Sequence, residues 1–103
     1  MQSGYAYIWR YRVPEDSAGD FERAYGSEGP WVELFRQHPG YVRTELHKDL
    51  QQPGCYTSID YWQSKEACDA FRQESRAEFE ALDTQCEQLT EEETLLGEFS
   101  RIW

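Results

Sequence analysis

Hydrophobic and polar residues alternate with a period of two in four segments of the chain, and this is the pattern of β-strands. The segments are residues 5–13, 41–50, 55–62 and 94–103. The sequence Gln-Gln-Pro-Gly between the second and third segments is typical of a turn. The pattern therefore predicts four strands, of which the second and third form a β-hairpin.

The segments between these strands carry apolar residues at the three-to-four spacing of amphipathic helices. A first helix runs from Asp20 to Tyr25 and, after a glycine-containing bend, continues as a short helix that begins at Pro30. A second, long helix follows the N-cap Ser64 and reaches Leu89. The order β-α-β-β-α-β predicts an α+β, ferredoxin-like fold in which the helices cover one face of a four-stranded antiparallel sheet.

The first predicted strand carries apolar residues on both of its sides. One side begins with Ala6 and Ile8, and the other holds Tyr5, Tyr7, Trp9 and Tyr11. Because the helices cover only one face of such a sheet, the other face needs a different cover, and a second copy packed sheet to sheet would supply it. The sequence therefore predicts a homodimer, a dimeric α+β barrel. Aromatic rings suit either a dimer interface or a ligand cavity under the helices, so alternation leaves both assignments of the two sides open.

Length and charge narrow the class of protein further. A chain of 103 residues predicts one domain, residues 1–103. Its net charge of −10 would repel a polyanion, so we expect no nucleic-acid partner. No apolar segment approaches the roughly 20 residues of a membrane span, and the start, Met1-Gln2-Ser3-Gly4, lacks the features of a signal peptide. Three cysteines without zinc-ligand spacing fit free thiols in the core. These features predict a cytoplasmic protein without a membrane partner.

Short motifs at the strand ends resemble those of a known family. They are Phe21 in the first helix, Pro39-Gly40-Tyr41 at the entry to the second strand, and Trp62-Gln63-Ser64-Lys65-Glu66-Ala67, which matches a Trp-x-Ser-x-Glu-Ala junction between strand three and helix two. Over nearly its whole length the chain resembles the antibiotic biosynthesis monooxygenase family of dimeric α+β barrel proteins. The resemblance implies a homodimer and a cofactor-independent oxygenation of an aromatic or polyketide-like molecule, in a cavity between sheet and helices.

A haem-degrading branch of that family uses an Asn on the first strand together with a Trp and a His on the second helix. This chain contains no Asn, and residues 64–89 contain neither Trp nor His; Phe71 and Ala81 fall roughly at those positions. His47 and Asp49 lie on one side of a strand but lack a third ligand at suitable spacing, and no glycine-rich phosphate loop is present. We therefore expect no haem, no metal and no nucleotide cofactor.

Oxygenation without a cofactor requires a base that deprotonates the substrate. The chain has two histidines, and His47 shares its side of the second strand with Arg43 and Glu45. His47 is therefore the candidate catalytic base, against the alternative of an ordinary strand or interface histidine. His38 directly precedes Pro39 at a helix end, where a role in the turn is expected.

Aromatic residues make up 16% of the chain, an excess that a binding cavity would use. The candidates for binding a flat substrate lie on the first strand, the bent first helix and the exit of the third strand, and they are Trp9, Tyr25, Trp31, Phe35 and Trp62. Each residue taken singly also fits an ordinary core. The sequence thus indicates a cofactor-independent monooxygenase. A non-catalytic ligand-binding or stress-associated dimer of the same fold is the alternative, because no base is unambiguous.

Overall fold

The computed structural model describes residues 4–103. Residues 1–3, on which the expectation about a signal peptide partly rests, lie outside the described residues. The strands are β1 (Tyr5–Arg12), β2 (Tyr41–Lys48), β3 (Cys55–Trp62) and β4 (Glu92–Ser100). The helices are α1 (Ala18–Tyr25), α2 (Pro30–Arg36), α3 (Lys65–Glu74) and α4 (Arg76–Cys86), with single 3-10 turns at Glu15–Ser17 and Glu87–Leu89. Within residues 4–103, no helix combines the length and the apolar character that a membrane crossing requires.

The four strands form one sheet in the order β2-β3-β1-β4, and every neighbouring pair is antiparallel. The predicted α+β, ferredoxin-like arrangement is therefore confirmed, as is the hairpin of β2 and β3. The hairpin turn is fixed by Asp49, whose carboxylate accepts hydrogen bonds from the backbone N–H groups of Gln51 and Gln52 at 2.8 and 3.2 Å. Gly54 completes the turn with a φ of 85°, a conformation that favours glycine.

The aromatic side of β1 faces the helices. The ring of Tyr11 lies 5.2 Å from that of Phe21 and 5.1 Å from that of Tyr25, measured between centroids, and both partners belong to α1. Residues of a strand alternate between the two faces of a sheet, so Ala6 and Ile8 lie on the open face. The sequence leaves open whether the aromatic side of β1 faces the helices or a second copy of the chain, and this packing shows that it faces the helices.

The prediction of one long helix over residues 64–89 is wrong, because the segment is divided at Ser75 into α3 and α4. Ser75 has φ −111° and ψ 26°, outside the helical range. In a straight helix Phe71 and Phe79 would be separated by about 12 Å along the axis. The break brings their ring centroids to 6.3 Å, so that both pack over the sheet. Cys68 on α3 and Cys86 on α4 are buried in the core, as predicted.

Strand β4 also differs from the prediction of residues 94–103, since it begins at Glu92 and ends at Ser100. Ile8 pairs with Gly97 and Trp9 with Leu95, so Leu96 is an extra residue, a β-bulge. Strict alternation over residues 94–103 would place Leu95 and Gly97 on one side and Leu96 on the other, and the bulge makes this assignment wrong across Leu96. Gly97, with φ 155°, supplies the unusual backbone that the bulge requires.

The junction between β3 and α3 allows a direct test of local stability. The Ser64 hydroxyl accepts a hydrogen bond from the Ala67 N–H at 3.1 Å, whereas Ser75, at the start of α4, makes no side-chain cap. Loss of an N-cap costs about 1 kcal/mol. We expect Ser64→Ala to lower the free energy of unfolding by about that amount, and Ser75→Ala to lower it by clearly less. Urea unfolding followed by circular dichroism, at one protein concentration, measures both; equal losses would contradict the assignment.

Candidate functional site

A cavity of about 220 Å³ lies between the sheet and the helices. Its apolar walls come from β1, α1, α2 and α4, and they are Trp9, Tyr11, Tyr25, Trp31, Phe35 and Phe79. Rigid rings cannot collapse into the space between them as flexible aliphatic chains can, which explains why these elements leave a cavity. The surroundings suit a flat, apolar ligand.

The cavity brings together four of the five residues that the sequence predicts for substrate binding: Trp9, Tyr25, Trp31 and Phe35 line it. Trp62 does not line it, because its side chain is only 2% exposed and packs deeper in the core against Phe35 and Phe71, at centroid distances of 5.8 and 5.1 Å. The role of these residues in binding stays a prediction.

His47 lies apart from this cavity. Its neighbours on β2, Thr44 and Leu46, face the helices, whereas the His47 side chain is 59% exposed on the other face of the sheet. Its Nε2 lies 3.2 Å from Glu45 Oε1. A base in that position does not reach a ligand under the helices. His38, in contrast, accepts a hydrogen bond on Nδ1 from the Gly40 N–H at 3.1 Å, the turn role expected for it.

The carboxylate on the sheet side of the cavity is that of Asp60, a residue that is not among the candidates singled out from the sequence. Asp60 lies on β3, beside Thr44 of β2 and Tyr7 of β1. The Thr44 hydroxyl donates a hydrogen bond of 2.7 Å to Asp60 Oδ1, and the Tyr41 hydroxyl donates one of 2.9 Å to Thr44. This relay holds the carboxylate in one orientation on the floor of the cavity.

Burial of its carboxyl group raises the pKa of Asp60 from 3.8 to about 6. The Thr44 hydrogen bond and the positive charge of Arg72 act in the opposite direction but do not cancel the effect. Arg72 extends from α3 into the lining, with its guanidinium carbon 4.7 Å from the centroid of Tyr7 and 5.1 Å from that of Phe79. A carboxyl that titrates near pH 6 is suited to take up and release a proton at neutral pH.

A signal for Asp60 is present in the sequence. In the third strand Tyr56, Ser58 and Trp62 share one side with Asp60, and all of these residues turn toward the helices. An ionisable residue among aromatic neighbours on the core side of a central strand is a candidate site residue in its own right.

Further polar groups lie beside Asp60 and at the edge of the cavity. The Tyr11 hydroxyl and Ser58 Oγ are 3.2 Å apart, and burial raises the pKa of Tyr11 and of Tyr25. A phenol is already protonated at neutral pH, and burial reinforces that state, so both hydroxyls can donate hydrogen bonds. Asp83 of α4 and Glu93 of β4 complete the lining, where both residues are largely exposed.

The metal-binding side chains do not gather at this cavity: within residues 4–103 no three of the His, Cys, Asp and Glu side chains are arranged to hold an ion. A four-stranded antiparallel sheet with helices on one face, and an aromatic cavity between the two layers, defines the α+β, ferredoxin-like class of protein. Residues 5–82 match the family model described as antibiotic biosynthesis monooxygenase. The chain belongs to the antibiotic biosynthesis monooxygenase family.

Solved structures with the same fold include SnoaB, a cofactor-independent oxygenase from Streptomyces nogalater. It is 20% identical, with a TM-score of 0.68, over 99% of this chain and 96% of that chain. A putative antibiotic biosynthesis monooxygenase from Bordetella bronchiseptica is 19% identical, with a TM-score of 0.74, over 99% and 100%. One from Nitrosomonas europaea is 14% identical, with a TM-score of 0.72, over 100% and 95%. At these identities the likeness establishes the fold. No curated protein sequence matches the chain.

The raised pKa of Asp60 makes a prediction about stability. Between pH 4 and pH 6 the folded protein keeps a proton on Asp60 that the unfolded chain has lost, so stability falls as pH rises through this range. The side chain introduced by Asp60→Asn has no charge, so the variant avoids the free-energy cost of a buried carboxylate. We expect the variant to be more stable than the parent at pH 8, by up to about 3 kcal/mol, and to lose that advantage at pH 4.

Urea unfolding at the two pH values, at a fixed protein concentration, measures this difference. Asp16→Asn, a substitution at an exposed residue, controls for the removal of one negative charge from an acidic protein. A gain at pH 8 that is the same for both variants would assign the effect to net charge rather than to the cavity.

Proposed function

We propose that the protein is a cofactor-independent monooxygenase that oxidises a small aromatic hydroxyl compound in this cavity, with Asp60 as the base. The observation that carries the proposal is the Asp60 carboxyl on the cavity floor, with a pKa of about 6, among aromatic walls. Membership of the antibiotic biosynthesis monooxygenase family supports the reaction class.

In the proposed reaction Asp60 takes the hydroxyl proton of a phenol or enol, which makes a ring carbon of the substrate electron-rich. That carbon transfers electrons to O₂ and forms a C–O bond, and the resulting peroxide anion takes the proton back from Asp60 to give a hydroperoxide. Loss of water from the hydroperoxide breaks the O–O bond and a C–H bond and leaves a carbonyl. One oxygen atom enters the product and the other leaves as water. The substrate supplies all four electrons, so no external reductant is needed.

The other lining residues have roles that follow from their positions. Arg72, the cation of the lining, would stabilise the anion that forms when Asp60 takes the proton. Protonated Tyr11 and Tyr25 would donate hydrogen bonds to substrate oxygens, because burial raises the pKa of both phenols. The aromatic walls would exclude water, which strengthens each of these interactions.

Oxygen consumption with a panel of hydroquinones and anthrones tests the proposal. We expect turnover in the parent, and a fall of about 10²- to 10⁴-fold in kcat for Asp60→Asn, because a positioned base contributes that much. The Asp60-dependent rate should rise with pH through about 6, as the carboxyl loses its proton.

His47→Ala separates the two candidate bases, since His47 lies on the opposite face of the sheet. Turnover that survives Asp60→Asn but not His47→Ala would assign the chemistry to His47. Binding of the panel without any turnover would instead support the non-catalytic, ligand-binding alternative.

We also propose that the open face of the sheet is covered by a second copy of the chain. Ile8 of β1 and Ile59 of β3 are paired at the centre of this face, and Phe99 of β4, which pairs with Ala6, is 48% exposed. Helices cover only the other side, so these apolar groups lack a cover within the subunit. A sheet-to-sheet homodimer would bury them.

Sedimentation velocity at micromolar concentration tests the dimer. We expect the parent to sediment as a dimer and Ile8→Glu to sediment as a folded monomer, because a charge at the centre of an apolar interface is left unpaired. Ala81→Glu, which adds the same charge to an exposed position of α4, should remain dimeric. A monomeric parent protein would refute the proposal.

A further inference from the structure

We propose that the ligand of the cavity is a small phenol that also carries a positively charged amine, with the hydroxyl at Asp60 and the ammonium group between Asp83 and Glu93. This inference rests on the proposed function and names its substrate class. The two acidic residues form the mouth of the cavity already described and are not a separate site.

The charges of the lining disfavour an anionic ligand. Asp60, Asp83 and Glu93 face the cavity, and Arg72 is the cation among the lining residues. A carboxylated or sulfated aromatic would therefore meet a net negative field, whereas an ammonium group would be attracted to it.

The acidic residues lie at two ends of the cavity. Asp60 is the strand partner of Tyr7, whereas Glu93 is the partner of Tyr11, on the opposite side of β1. Two strand spacings and four residues along the strand place their backbones roughly 16 Å apart. The two side chains shorten that span. A ligand with its hydroxyl and its charged group at opposite ends of one ring fits this arrangement.

Among the described residues, no cation lies within salt-bridge distance of the acidic pair at the mouth, Asp83 and Glu93. The nearby Arg76 is engaged with Glu80 at 3.4 Å. Desolvation of its carboxyl group and the negative charge of Asp83 raise the pKa of Glu93, which indicates that the two carboxylates repel each other. A bound cation would relieve that repulsion.

Aromatic faces surround the same end of the cavity. Tyr25 and Phe79 both contact Trp31, at centroid distances of 5.9 and 5.1 Å. Tyr25 is also close enough to Glu93 for the carboxylate to influence the pKa of the phenol. Aromatic faces beside carboxylates form the kind of surface that binds ammonium groups by cation–π attraction. The volume of about 220 Å³ is below the roughly 300–1,000 Å³ of sites for drug-sized molecules, which favours a ligand of one or two rings.

Three probes with the same catechol ring test the inference: dopamine is cationic, 4-ethylcatechol is neutral and 3,4-dihydroxyphenylacetate is anionic at pH 7.5. Isothermal titration calorimetry without oxygen gives the Kd of each. We expect dopamine to bind about five- to tenfold more tightly than 4-ethylcatechol, the sum of an exposed ion pair and a cation–π contact. The anionic probe should bind most weakly.

The double variant Asp83→Asn/Glu93→Gln should lose the preference for dopamine and keep the affinity for 4-ethylcatechol. Glu28→Gln/Glu33→Gln is the matched control, because it removes two negative charges at exposed positions outside the lining. This control should retain the preference. Loss of the preference in the control as well would assign it to the overall charge of the protein and overturn the inference.

The remaining outcomes separate this inference from the proposed function. Equal binding of dopamine and 4-ethylcatechol would overturn the inference that the ligand carries an amine. It would leave the proposed monooxygenase function untouched, because oxygen turnover of neutral hydroquinones tests that function separately. Absence of binding for all three probes, together with absence of turnover, overturns both proposals.

Discussion

The packing of the aromatic side of β1 under the helices is the interaction on which the rest of the structure depends. β1 is hydrogen-bonded to a strand on each side. Its side chains therefore lie near the centre of each face of the sheet. Successive rings along its helix-facing side are 6.3, 6.0 and 6.5 Å apart, which forms a continuous aromatic row from Tyr5 to Tyr11. The helices must therefore pack on broad, rigid surfaces rather than on interdigitating aliphatic chains.

This constraint explains both the core and the cavity. Where α1 meets the row, Phe21 and Tyr25 stack on each other with ring centroids 4.4 Å apart, and Phe21 is completely buried. Farther along, α2 and α4 contribute Trp31 and Phe79, whose edge-to-face contact holds the helices apart above Trp9 and Ser58. An unfilled volume forfeits dispersion contacts, and a carboxyl held there pays for its desolvation. Two such costs at one place are typical of a site that serves function rather than stability.

The extent to which the sequence predicts this structure depends on the range of the interactions. Alternation and capping are local, so the element order, the hairpin and the Ser64 cap follow from the sequence. The bulge at Leu96 has a local signal in Gly97, because a glycine inside a strand pattern suggests a bulge, whereas no such signal marks the break at Ser75. A register shift between Tyr41 and Arg43 likewise turns Tyr41 toward Trp62, although alternation alone places Tyr41 on the side of His47.

The candidate site also depends on contacts between distant elements. Alternation shows which residues share a side of a strand, but packing of the helices determines which side faces them. The sequence therefore predicts one site from the aromatic candidates and His47, whereas Trp9 and His47 lie on opposite faces of the sheet. Once the aromatic side of β1 is assigned to the helices, the antiparallel pairing with β3 brings Ser58 and Asp60 to the same face. The position of Asp60 under the helices therefore follows from the strand pairing, once the face of β1 that packs against the helices is known.

The geometry around Asp60 suits the role of base that is proposed for it. Thr44 holds Oδ1, and in the part of the chain that the structure describes no side chain donates a hydrogen bond to Oδ2. One oxygen is therefore fixed and the other is left to accept a proton. Burial raises the pKa of the group to about 6, so the carboxylate is a stronger base than an exposed aspartate and is still ionised at neutral pH. Arg72 keeps the pKa from rising further, and the same positive charge would stabilise the substrate anion after proton transfer.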